Sequence, residues 1–74
     1  MDNNHDYFYA VLEHHGVNTM HSFDNRTEFK EWYGFLSPGH NVVYRGFSAK
    51  RAVRLSDCID NRCRFAQFIR GKFK

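Results

Sequence analysis

The segment Phe23-Asp24-Asn25-Arg26-Thr27-Glu28-Phe29-Lys30-Glu31-Trp32-Tyr33-Gly34-Phe35-Leu36-Ser37-Pro38-Gly39 has a legible start, apolar face and stop, and the rest of the chain must be fitted around it. Asp24 and Asn25 are both good N-cap residues. Glu28, three after Asn25, is placed to return its carboxylate to the backbone N–H of the cap. Phe29, Trp32, Tyr33 and Leu36 fall at i, i+3, i+4 and i+7, which sets three aromatics and a leucine on one face of a helix. Ser37-Pro38-Gly39 stops it, because Pro38 lacks the N–H that would continue the ladder and biases Ser37 away from helical dihedrals. The expectation is a helix of about three turns laid on something apolar.

That something is legible on either side. From Tyr7, side chains alternate with Phe8, Ala10 and Leu12 on one face and Tyr9, Val11 and Glu13 on the other, a strand whose faces are unequally apolar. Glu13-His14-His15-Gly16 reads as a turn. Val17, Thr19, His21 and Phe23 then alternate against Asn18, Met20 and Ser22, so a hairpin is expected, with the helix covering its apolar side. Asn41-Val42-Val43-Tyr44-Arg45-Gly46-Phe47 is β-branched and aromatic and reads as a third strand, with Gly46 marking a bulge or a close approach. Ser48 can cap a helix beginning at Ala49 and continuing through Ala52, Leu55, Ile59, Cys63 and Ala66. A competing reading makes residues 52–55 a fourth strand, with Ser56 capping the helix that follows. Both readings end in a basic helical tail, with Phe65, Phe68, Ile69 and Phe73 at helical intervals among Arg62, Arg64, Arg70, Lys72 and Lys74. The fold class expected is α+β: one domain over residues 1–74, frayed over 1–5, with a small antiparallel sheet of the hairpin and a third or fourth strand packed by the central helix, in a ββαβα-like order.

A 74-residue chain buries only roughly 60% of its unfolded surface. Its thirteen Phe, Tyr and Trp can bury about 150–250 Å² each. Not all of them fit inside so small a domain, so an aromatic contact surface is expected, for another molecule or a second copy of the chain. Charge is divided along the chain. Residues 1–40 carry Asp2, Asp6, Glu13, Asp24, Glu28 and Glu31 against Arg26 and Lys30, a net of −4. Residues 41–74 carry nine Lys and Arg against Asp57 and Asp60, a net of +7. Mutual neutralisation within the fold absorbs part of this, and the remainder points to an acidic partner for the C-terminal half.

Other chemistries are weaker. Cys58 and Cys63 are two cysteines, too few for a disulfide framework. No leader is legible, and the longest apolar run, residues 7–12, is too short to span a bilayer, so a reduced, cytoplasmic protein without integral membrane association is expected. The two cysteines with His5, His14, His15, His21 and His40 contain enough ligand types for zinc. Residues five apart on a helix, however, diverge by about 140°, and His14 and His15 as strand neighbours would face opposite sides. No metal and no cofactor are expected. A Cys–His pair, or Asp57 with Asp60, would need an orienting group and a dry pocket to catalyse anything, and the chain has little material for one.

The better signal is cations interleaved with rings. Arg45, Lys50, Arg51 and Arg54 with Tyr44 and Phe47 form the expected partner-binding set for an acidic protein surface. The alternative is a nucleic-acid-binding module that uses the same basic half, including a basic helix bearing Arg62, Arg64, Arg70 and Lys72. Against both, phenylalanines at helical spacing belong more often to a core, and a run of arginines is often only a solvated face.

The stretch Phe23-Asp24…Glu28…Trp32-Tyr33-Gly34-Phe35-Leu36…Pro38-Gly39, set between a hairpin and a further strand, resembles the layout of small phage proteins that disable host machinery, anti-CRISPR proteins among them. The likeness covers about a quarter of the chain and carries over no functional residue, and the basic tail departs from the acidic, DNA-mimicking members. What it implies is a non-enzymatic inhibitor or adaptor that acts in a host cytoplasm by occupying a surface on a larger protein.

Overall fold

The computed structural model describes residues 7–63, so the expected frayed start and the basic tail beyond Cys63 lie outside the described residues. Six elements follow one another: β1 (Phe8–His14), β2 (Val17–Phe23), α1 (Arg26–Gly34), β3 (Asn41–Gly46), α2 (Ala49–Leu55) and β4 (Cys58–Ile59). The strands form one sheet in the order β3-β1-β2-β4. β1 runs antiparallel to both its neighbours and β4 parallel to β2, so the expected antiparallel sheet is corrected to a mixed one, because the chain reaches β2 through α2 and not through a hairpin.

β1 is central, and both its faces are covered. Phe8 and Ala10 pack with Phe23, Phe29 and Trp32 on the α1 side. Tyr9 and Val11 pack with Met20, Ala52 and Cys63 on the α2 side. The expected sheet with one apolar face is therefore corrected to a sheet between two helical layers. The alternation along β1 separates two cores, where the sequence reading had a dry side and a wetter one.

The hairpin is formed in full register, from Phe8 opposite Phe23 to His14 opposite Val17. Its two-residue turn places His15 at φ 54° and Gly16 at φ 82°, the left-handed pair that matches the twist of the flanking strands. The Glu13 carboxylate accepts the Gly16 N–H at 2.8 Å. On the other side of β1, Val11 stands opposite Tyr44 and Leu12 opposite Val42, so Val43 is the extra residue of a bulge. Gly46 is instead the close approach: a Cβ there would stand 2.6 Å from the Tyr44 hydroxyl. That hydroxyl accepts the Ser48 N–H at 3.1 Å and so ties β3 to the start of α2.

α1 begins as expected. Asn25 is extended, and its side chain accepts the Glu28 N–H at 2.8 Å. The Glu28 carboxylate returns to Asp24 N–H, one residue before the cap. The helix ends sooner than its apolar stripe suggests. Phe35 and Leu36 N–H groups bond to the carbonyls of Trp32 and Tyr33, three residues back, and this tightened turn takes Leu36 off the stripe. Phe29 is buried, Trp32 is half-buried against Phe23 and His21, and Tyr33 stacks on Phe29 while remaining exposed.

α2 starts where Ser48 caps it, with the Arg51 N–H on Ser48 Oγ at 3.1 Å. It does not run on through Ile59 and Cys63. Ser56 bonds back to the Val53 carbonyl and the chain extends. Asn18 then holds it: Asp57 N–H reaches the Asn18 carbonyl at 2.7 Å, the Asp57 carboxylate accepts Asn18 N–H at 2.9 Å, and the Asn18 amide donates to the Leu55 carbonyl at 3.0 Å. These bonds give the backbone a sheet partner in place of another helical turn. The fourth strand is thus β4, and neither a long helix nor a strand over residues 52–55 forms. Ile59, from β4, and Cys63, after the turn that follows it, still reach the α2-side core. Among the described residues no helix is long and apolar enough to cross a membrane.

Phe29→Ala should destabilise the domain by about 3–5 kcal/mol, read as a lower urea midpoint by circular dichroism, whereas Trp32→Ala should cost less because its ring is half-exposed. Gly46→Ala must displace the Tyr44 ring and break its bond to Ser48, a loss of about 1–3 kcal/mol in the same assay.

Candidate functional site

α2 turns Ala49, Ala52 and Val53 inward, which leaves Lys50, Arg51 and Arg54 exposed together on its outer side. Among the described residues no carboxylate forms an ion pair with any of the three. Lys50 and Arg51 also stand in the first helical turn, where the macrodipole disfavours positive charge. Arg54 stands in the last turn, where its charge suits the dipole, so it is Lys50 and Arg51 from which the helix gains nothing electrostatic.

The other residues of the expected set are placed differently. Arg45 is exposed and pairs with Ala10, so it lies on the α1 side of the sheet, away from the outer face of α2. Phe47 is 55% exposed and meets the ring of Phe8 edge-on at 5.3 Å, also on the α1 side. Tyr44 lies on the α2 side, half-buried, with its hydroxyl engaged by Ser48. The expected single surface is therefore two. Arg62 is exposed in the turn after β4, its N–H on the Asp60 carboxylate at 3.0 Å, not on a helix; Arg64, Arg70 and Lys72 lie outside the described residues.

Sequence reasoning passed over Arg26 and Lys30, exposed on α1 within the acidic half. The signal was present: with Tyr33 they fall at i, i+4 and i+7. It also missed a pairing across 39 residues, His21 Nδ1 to Asp60 Oδ2 at 2.9 Å, with the Trp32 ring 4.7 Å from the imidazole. These side chains, with Glu28 and Arg62, border an open hollow of about 230 Å³. Cys63 sits in the α2-side core and Cys58 Sγ lies 3.3 Å from Thr19 Oγ1, so neither cysteine is paired with this histidine.

The hairpin tip gathers imidazoles. His14 stacks on His40 at 3.9 Å and 18°, and His15 lies 4.0 Å from His14. The expectation that His14 and His15 face opposite sides fails because His15 is in the left-handed turn. Parallel rings do not converge their nitrogens, and among the described residues no group of three or more His, Cys, Asp or Glu is arranged to hold a metal ion.

Burial holds His14 below the ordinary imidazole value, helped by His15 and His40. Burial does the same to His21 against the opposing pull of Asp60. Burial raises the Asp60 carboxyl, but the Arg62 N–H and the His21 ring together carry it below its ordinary value. Depressed histidines leave the folded state with fewer protons than the unfolded one, so stability falls as pH drops through the ordinary imidazole value of about 6.5. Asp60 contributes stability that is lost at lower pH, through its folded value. The melting temperature should accordingly decline from pH 7.5 to pH 5, and His14→Asn should shallow that decline; a flat or rising profile would contradict the assignment.

Comparison with protein-family models, with curated protein sequences and with solved structures returns no match, so what the chain does must be argued from the surfaces described above.

Proposed function

We propose that this is a small non-enzymatic binding protein, an inhibitor or adaptor of the kind phage use, that docks on an acidic surface of a larger host protein. The observation that carries the reading is the outer face of α2. Lys50, Arg51 and Arg54 stand there side by side, exposed and unpaired with any described carboxylate, and Lys50 and Arg51 are placed against the helix dipole. Exposed cations that no described carboxylate engages are available to a partner, and complementary charge speeds encounter and rejects wrong partners. An exposed thiol at Cys58 suits a reducing cytoplasm.

Lysate capture with and without nuclease tests this. The tagged chain should retain one specific protein after nuclease, and Lys50→Glu with Arg54→Glu should lower its affinity by roughly a hundredfold, because each reversal adds repulsion to the lost attraction. Capture of nucleic acid alone, with each single reversal weakening it modestly and flattening its salt dependence, would favour a nucleic-acid-binding module instead.

A further inference from the structure

We propose that the groove between α1 and β3, on the side of the sheet away from α2, is a second docking site, and that it takes an extended acidic peptide segment with apolar residues between its acids. The inference goes beyond the α2 reading and does not depend on it.

The groove follows from how α1 lies. Trp32 packs toward β2, on Phe23 and His21. Tyr33 is on the opposite flank, its hydroxyl directed to the His40 carbonyl just before β3. Arg26 and Lys30 share the Tyr33 stripe at helical spacing, so they too overlook β3. β3 runs antiparallel to β1 and brings Val42, Arg45 and Phe47 to the same side: Val42 is opposite Leu12, Arg45 is opposite Ala10, and Phe47 rests on Phe8. Among the described residues β3 ends the sheet, so no further described strand closes the outer side.

With Tyr33 tied to the carbonyl before β3 and Phe47 at the far end of that strand, helical and strand spacing order Tyr33 and Val42 at one end of the groove, Lys30 and Arg45 between, and Arg26 and Phe47 toward the other. All six are well exposed, Phe47 at 55%, Val42 at 40% and Tyr33 at 37%. None of the three cations has an ion-pair partner among the described residues. The acids of α1 are elsewhere: Glu28 returns to the cap at Asp24, on the Trp32 flank, and Glu31 stands on the outer side of the helix. Uncompensated positive charge between apolar ends selects an anionic partner with apolar side chains. β3 spans about 20 Å, room for one extended segment of similar length.

Single-stranded nucleic acid is less well matched. Stacking needs free ring faces in succession, whereas Tyr33 lies against Phe29, Phe47 meets Phe8, and Val42 offers no ring.

The test is a fluorescence anisotropy titration of the full chain with a labelled peptide alternating Glu and Leu, its Gln-for-Glu counterpart, and a labelled oligothymidylate. The Glu peptide should bind, with the Gln peptide and the oligonucleotide each roughly tenfold weaker. Arg45→Glu and Lys30→Glu, both at exposed sites, should each weaken the Glu peptide by roughly tenfold, while Lys50→Glu with Arg54→Glu changes it by less than about twofold. Amide shifts on titration should centre on β3 and α1. No saturable binding, equal affinity for the Gln peptide, a shift map centred on α2, or tighter binding of the oligonucleotide would each overturn the proposal. Loss of the lysate complex on reversing Lys50 and Arg54, with peptide binding intact, separates this site from the α2 surface.

Discussion

Everything in this fold depends on the burial of β1 from both sides. Phe8, Tyr9, Ala10, Val11 and Leu12 are all buried in succession, a pattern that a strand adopts only when each face of its sheet is covered. Two short helices must therefore serve as two layers, and they do so by different means. α1 contributes a large ring, Phe29, within an aromatic cluster with Phe8, Phe23 and Trp32. α2 contributes small residues, Ala49 and Ala52, and the volume is supplied from the sheet by Tyr9 and Met20. Because each helix spends only one side on its core, its other side remains available, and that is where cations and unburied rings are found.

Polar contacts decide where the second layer ends. The exchange between Asn18 and Asp57 gives the chain after α2 a place on β2, and Asp60 secures the following turn through Met20, His21 and Arg62. These bonds join residues about 39 apart, so they close long loops and act only once the hairpin exists. They also bring Ile59 and Cys63 to the α2-side core without a helix, which buries the same apolar positions that fall at helical spacing in the sequence.

Charge, divided along the chain into an acidic and a basic half, is divided in space by face. Lys50, Arg51 and Arg54 occupy the outside of α2, whereas Arg45 joins Arg26 and Lys30 from the acidic half on the other side of the sheet. Two cationic surfaces separated by a sheet cannot both meet one flat partner.

The sequence by itself determined the local events. An N-cap at Asp24 or Asn25, the Ser48 cap as one of two readings, and a hairpin turning within Glu13-His14-His15-Gly16 were legible, because dihedral preference and bonds spanning a few residues set them. Tertiary structure decided what local physics leaves degenerate. The run Ala52, Leu55, Ile59, Cys63 has helical spacing, yet backbone bonds to β2 cost no more than further helical turns and also place Ile59 and Cys63 in the core, so the helix stops at Leu55. Alternation along β1 separates two faces but does not say that both are dry, because that depends on whether a second helix arrives. Which cations share a surface is likewise a matter of strand order and helix rotation, and Arg45 joins the α1 side only after β3 has paired with β1.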